Sequence, residues 1–279
     1  MKIQHTCRST KLDNCIQHTA GQSSGHLSTL GDFVNRQFSA ALQMLVLSLL
    51  GWTLPCTAQT RSDAEQQRCL YATRAQLHND AEALGHGLAS APRNAIRARN
   101  LKWELPIAAT TGIFIAELDQ PVVTHNQSLS RQTTLSTWSN VGLGMELGAA
   151  GLMWADGCVH HHTSLRENGF TALEAAGAAA GINEIFKIAA NRQYPYAVKS
   201  TGEFWENGKS FPSGHAAASW AFASVIAHRY PNKRWVKWSA YAFAAAVSLS
   251  RLPAKKHYPS DILVGSTIGF VTGAYMAGR

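Results

Sequence analysis

The chain has little charge and few cysteines. Only 15% of its 279 residues are Asp, Glu, Lys or Arg, against 46% apolar residues. A solvated surface usually goes with about a quarter charged residues, and this much apolar material excludes disorder as the main theme. Five cysteines are too few for a disulfide-built scaffold. No heptad persists, which excludes a coiled coil, and 22 glycines show no collagen period. Period-2 alternation, β-branched runs, internal repeats and low-complexity stretches are missing too. What remains is enough apolar material for a large core and a net charge of +8, which suits an anionic partner.

Residues 1–35 are polar and without period. Arg36 then precedes an apolar run from Ala40 to Trp52, closed by Leu54-Pro55-Cys56-Thr57-Ala58. A basic residue, a short apolar stretch, a breaker and a small-residue site form an export-signal pattern, or an uncleaved anchor. Cleavage near Ala58 would remove Cys7, Cys15 and Cys56. Cys69 and Cys158 would remain, as one disulfide or as two separate thiols. The remainder still carries 21 Lys+Arg against 15 Asp+Glu.

The chain divides into a leader over 1–58, a charged, Ala-rich helical and loop region over 59–104, and a helical domain over 105–279. Arg93, Arg97 and Arg99 cluster near the end of the second region. Apolar blocks rich in Ala and Gly recur at about 105–117, 139–155, 170–190, 215–229, 235–250 and 261–277, divided by polar turns. They predict an all-α fold of six helices packed through small residues. Ser260 or Asp261 is placed to cap the last one. Most blocks are short of the ~20 apolar residues a bilayer needs, and Glu117, Glu146, Glu174 and Glu184 lie inside them.

Three clusters fall at helix ends. Lys187 to Pro195 closes the third block, Phe211-Pro212-Ser213-Gly214-His215 opens the fourth, and Ser250 to Asp261 bridges the fifth and sixth. Transfer of a phosphoryl group needs a nucleophile, an acid for the leaving oxygen, and positive charge around the phosphoryl oxygens. Lys187, Arg192 and Arg251 offer the charge. Ser213 and Gly214 stand at a helix N-terminus, where backbone N–H groups bind anions. His215 and His257 are two imidazoles with near-neutral chemistry. Asp261, four residues after His257, lies one helical turn away and can fix its tautomer.

These residues resemble the type 2 phosphatidic acid phosphatase and vanadium haloperoxidase superfamily, whose signature is K-x6-R-P, then P-S-G-H, then S-R-x5-H-x3-D. The second motif matches from Pro212 to His215, and the third from Ser250 through His257 to Asp261. The first matches at Lys187 and Pro195, but Tyr194 stands in the place of its Arg. Arg192 matches a second Arg carried by many bacterial members. The resemblance covers about residues 105–279 and implies a six-helix core with the motifs at one end. It implies that His257 is the nucleophile, forming a phosphohistidine, that Asp261 orients it, and that His215 is the general acid. Lys187, Ser213, Gly214 and Arg251 would hold the phosphoryl oxygens, with Arg192 replacing the missing Arg or Tyr194 donating a neutral hydrogen bond. No metal or other cofactor is implied.

The expected activity is a metal-independent phosphatase acting on a phosphorylated lipid or a small phosphate ester. The alternatives are a vanadate-dependent haloperoxidase, with vanadate on His257, and a non-catalytic phosphate or headgroup binder. Expected localisation is the cell envelope, with membrane association: a bundle facing the periplasm with 39–58 as an extra span, or a soluble exported bundle. His160, His161 and His162 read as a polar loop rather than a metal site. Trp235, Trp238 and Tyr241 read as packing residues. The basic loop over 228–237 lacks a groove-reading motif, so no nucleic-acid partner is expected.

Overall fold

A computed structural model describes residues 59–95, 98–124, 128–197 and 200–279. The leader over 1–58 lies outside the described residues, as do the side chains of Arg93, Arg97 and Arg99. Every regular element among the described residues is helical. α1 spans Gln59–Ala95, α2 Ala98–Ile113 and α3 Asp119–Thr124, with a π-helical turn at Phe114–Leu118 between the last two. α4 spans Leu129–Val159, α5 Thr163–Ala190, α6 Gly214–Arg229, α7 Arg234–Leu249 and α8 Pro259–Ala277.

The six expected helices are present, and three, α2, α4 and α5, are longer at their N-terminal ends than the apolar blocks. α4 begins ten residues earlier because Ser128 caps it, its hydroxyl accepting from Arg131 N at 3.3 Å. Its first turns are polar because they face solvent, so the apolar pattern under-reads them. α5 likewise begins at Thr163 rather than near 170. It ends on Asn191 in the left-handed region, φ 44°, a conformation that Asn tolerates at a helix C-terminus.

Small residues set the core. Ala150, Ala172, Ala175, Ala179, Ala217 and Ala221 are buried together with Phe222, Val225, Ile226 and Met276. α8 lies against α6 along Gly265, Gly269 and Gly273. A methyl group at any of these would collide with the carbonyl oxygens of Ser213, Ala217 and Ala221 in turn. Such spacing brings two backbones into direct contact, as expected for small-residue packing.

Cys69 on α1 and Cys158 near the end of α4 form a disulfide, with Cα atoms 5.7 Å apart and a sequence separation of 89. It pins α1 to the bundle. At the other end of α1, Tyr275 of α8 donates to Ala83 O at 2.9 Å.

No helix among the described residues is long and apolar enough to cross a membrane. α4 nevertheless turns Trp138, Met145, Leu152 and Val159 outward at intervals of seven, each at least 60% exposed. At 1.5 Å per residue the stripe is about 30 Å long. Trp235 and Trp238 are also exposed, so of the two roles expected of them, core or interface packing, the first does not hold. Tyr241, by contrast, stacks on Trp220 with centroids 5.7 Å apart.

Candidate active site

The C-terminal ends of α5 and α7, the N-terminal ends of α6 and α8 and the early part of α4 meet at one end of the bundle. Asn183 of α5, fully buried, donates to Pro212 O at 3.1 Å and so holds the turn before α6. Ser213 is the residue before that helix, and its own amide donates to Asp261 O at 2.9 Å. The amide of Ser213 is therefore not free for an anion, contrary to the expectation from its position. Gly214 and His215, the first two residues of α6, carry the amides that a helix start leaves open.

His257 is buried and donates through Nδ1 to Ser210 O at 2.8 Å. A carbonyl is only an acceptor, so Nδ1 carries the hydrogen and Nε2 keeps its lone pair. Asp261 Oδ2 is farther away, at 3.5 Å from Nδ1. The closest orienting group is thus a backbone carbonyl, where the sequence pointed to Asp261. That carboxylate is taken up by Ser210 Oγ, Tyr258 N at 2.9 Å and Arg192 Nη1 at 2.7 Å. Burial pushes Asp261 up, but the His257 imidazole, Arg192 and the Ser210 hydroxyl together hold it below the usual carboxylate range. Burial lowers His257 against the opposing pull of Asp261.

His215, the second residue of α6, faces Asn140 of α4, with Nε2 2.8 Å from Oδ1. Arg251 Nη1 donates to Ser139 Oγ at 2.7 Å and to the same Asn140 oxygen at 3.4 Å. Two donors on one atom identify that atom as the amide oxygen, so His215 donates from Nε2. Desolvation, then the positive charges of Arg251, His257 and Lys187, push His215 down to about 3. Burial also lowers Arg251, to about 10, which leaves it charged at neutral pH.

Lys187 Nζ lies beside Gly214, 3.4 Å from where a side chain there would begin. It pairs with the exposed carboxylate of Glu184 at 2.5 Å. Tyr194 is half-buried, its ring 6.4 Å from that of His257 and stacked on Tyr196 at 5.0 Å. Burial, then the neighbouring Tyr196 and Glu184, raise its phenol, so it stays neutral. Lys256, which the sequence did not single out, lies over the Tyr196 ring at 4.5 Å.

Arg192 is elsewhere. It is 2% exposed, and its guanidinium donates to Gly202 O, Ser260 Oγ, Asp261 Oδ1 and Asp119 Oδ2. The aromatic rings of Phe204 and Tyr258 lie 4.7 and 4.1 Å from its Cζ. The expectation that it replaces the missing phosphate-facing Arg does not hold, because every nitrogen already has a protein acceptor. Asp119, its partner, was not singled out either; with Glu117 and Gln120 beside it, nothing in the sequence marked it.

Thus His215, His257, Arg251, Lys187, Gly214 and Tyr194 gather at one place. Two buried donor atoms within it, Ser213 Oγ and Arg251 Nε, have no hydrogen-bond partner among the described residues. Unmet buried donors beside unpaired imidazole nitrogen form a cradle suited to an oxyanion. Among the described residues no group of three His, Cys, Asp or Glu is placed to hold a metal ion. The His160–His162 segment is a turn between α4 and α5, with His160 Nδ1 3.0 Å from Asp156.

Residues 168–278 match the family model of the PAP2 superfamily. A stretch of 65 residues is 32% identical to lipid A 1-phosphatase of Porphyromonas gingivalis, covering 23% of this chain and 15% of that protein's length. Two crystal structures also align. LpxE of Aquifex aeolicus does so at 16% identity and TM-score 0.40, over 57% of this chain and 92% of that one. The transmembrane PAP2-type phosphatidylglycerolphosphate phosphatase of Bacillus subtilis does so at 19% identity and TM-score 0.42, over 62% and 94%. All three sequence motifs lie inside this matched segment, which makes up 111 of the chain's 279 residues.

Proposed function

We propose that the protein is a phosphatase that cleaves a phosphate monoester or pyrophosphate through a phosphohistidine. The observation that carries the reading is the hydrogen bond from His257 Nδ1 to Ser210 O, which leaves Nε2 as a nucleophile beside the unmet donors. Nε2 attacks phosphorus while the bond to the leaving oxygen breaks. His215 gives a proton to that oxygen. Water then attacks the phosphohistidine, His215 takes the water's proton, and phosphate leaves with His257 restored. Arg251, Lys187, Ser213 Oγ and the Gly214 amide neutralise the phosphoryl oxygens as charge develops. Tyr194 supplies a neutral donor where the family signature has Arg.

The local cations hold His215 neutral in the free protein. A bound phosphoryl dianion reverses the local potential, so the proton that His215 donates is acquired as the substrate binds.

We assign the substrate to the phosphorylated lipids, and the protein to the cell envelope in contact with membrane. The apolar stripe on α4 starts at Trp138, next to Ser139 and Asn140, which touch Arg251 and His215. A lipid chain along that stripe would deliver its phosphate to the cradle. The Porphyromonas relative is a lipid A 1-phosphatase, which agrees with this substrate class.

The test is phosphate release by the purified full-length chain from phosphatidic acid in vesicles, a polyprenyl pyrophosphate and a soluble monoester. His257→Ala is expected to abolish release, and His215→Ala to lower it strongly, because both steps lose their proton carrier. Full activity of His257→Ala rejects the mechanism. Phosphate binding without turnover, or halide oxidation on adding vanadate, replaces it with a different function. Equal rates on lipid and soluble ester in Trp138→Ser and the parent chain reject the lipid assignment.

A further inference from the structure

We propose that Asp119 is a positioning residue for His257, so that a helix outside the segment matching the family model completes the active site. The inference rests on reading His257 as the nucleophile. Asp119 opens α3 and is 1% exposed. Its Oδ2 accepts from Arg192 Nη2 at 2.7 Å, and its Oδ1 from Ser260 N at 3.1 Å. Arg192 Nη1 reaches Asp261 Oδ1 at 2.7 Å. The other oxygen of Asp261 takes the hydroxyl of Ser210, whose carbonyl takes His257 Nδ1 at 2.8 Å. An unbroken series of buried hydrogen bonds therefore runs from α3 to the imidazole.

A guanidinium buried between two carboxylates is balanced by both. Removing one leaves the buried cation to shift toward the other. Arg192 is confined between the Phe204 and Tyr258 rings, so the shift can only be taken up along its line to Asp261. Asp261 and Ser210 then move, and with them the direction of Nε2. Lys187 and Arg251, which face the phosphoryl group, share no bond with this series. The consequence is a loss in turnover with substrate capture preserved.

The experiment measures kcat and KM of the full chain on a soluble phosphate monoester for the parent, Asp119→Asn, Asp119→Glu and, in parallel, His257→Ala. The expected result is a kcat lowered about 10- to 100-fold in Asp119→Asn, with KM within about twofold, and partial recovery in Asp119→Glu. Unchanged kcat in Asp119→Asn overturns the proposal. So does a joint loss of kcat, KM and melting temperature that Asp119→Glu does not relieve, since that is a purely structural role. Where Asp119→Asn does not fold, Asp119→Glu decides: a several-fold loss in kcat at constant KM supports positioning, and parental kcat overturns it. Activity retained in His257→Ala identifies failure of the nucleophile reading itself, independently of what Asp119 does.

Discussion

Asn140 Oδ1 lies 2.8 Å from His215 Nε2 and 3.4 Å from Arg251 Nη1, so one amide oxygen serves both the proposed acid and the arginine proposed to bind phosphate. Replacing it with a carboxylate favours the charged imidazole and raises His215 from its position near 3. Asn140→Asp is expected to extend activity toward higher pH, because the acid stays protonated longer. Asn140→Ala removes the shared acceptor and is expected to lower kcat/KM by about 10-fold. A pH–rate profile of each variant on one soluble ester checks both.

Anion binding is expected to draw a proton onto His215. The neutral form prevails in the free protein at all pH values above about 3, and a dianion nearby moves the titration upward. Sulfate is the useful probe because it brings no proton of its own at pH 6. Calorimetry in two buffers of different ionisation enthalpy reads proton uptake, which is expected for the parent and absent in His215→Asn. Binding without uptake by the parent removes His215 from the anion site.

Tyr194 occupies the place of a signature arginine, and its raised phenol keeps it uncharged. A charged donor contributes about 1.5–3 kcal/mol where a neutral one contributes about 1. Tyr194→Arg is therefore expected to raise kcat/KM by about 10-fold, measured on the preferred substrate. A decrease would place the Tyr194 side chain outside the phosphoryl cradle.

Glu146 is buried in α4, and desolvation pushes it up to about 8 against a weaker opposing contact with Ser219. Its folded form holds a proton that the unfolded chain releases above about pH 4.5. Stability is thus lost as pH rises through that window toward 8. Glu146→Gln is expected to raise stability at pH 7 by on the order of a few kcal/mol and to flatten the pH dependence. Denaturation midpoints at pH 5 and 7.5 supply the comparison. An unchanged difference between the two pH values would show that Glu146 is ionised in the fold.

The disulfide between Cys69 and Cys158 closes a long loop and constrains the unfolded chain. Its loss is expected to cost about 4–5 kcal/mol on a chain-entropy estimate. Replacing both cysteines with serine should lower the denaturation midpoint while leaving turnover unchanged, because neither residue is near His257. Loss of turnover at a temperature where the variant remains folded would contradict this.

The residues read most directly from sequence are those whose chemical type defines them: His215, His257, Arg251 and Lys187 each carry a basic side chain inside one of the three sequence motifs. The helices were legible from recurring apolar blocks, although polar first turns hid the true starts of α4 and α5. What sequence could not give was the pairing of groups distant along the chain. Asp119 precedes Arg192 by 73 residues, so an arginine read as phosphate-facing is in fact enclosed. Ser210 contributes a carbonyl to His257, a group that every residue possesses, and therefore carries no compositional mark. Asn140 is one of several uncharged polar residues along α4, and nothing in its spacing distinguishes it.

Gly265 has no side chain where Ser213 leans against α8. The distance between α8 and the start of α6 is therefore set by an omitted methyl group. A single added carbon there would meet the Ser213 carbonyl oxygen and push apart the two helices that carry His215 and Asp261.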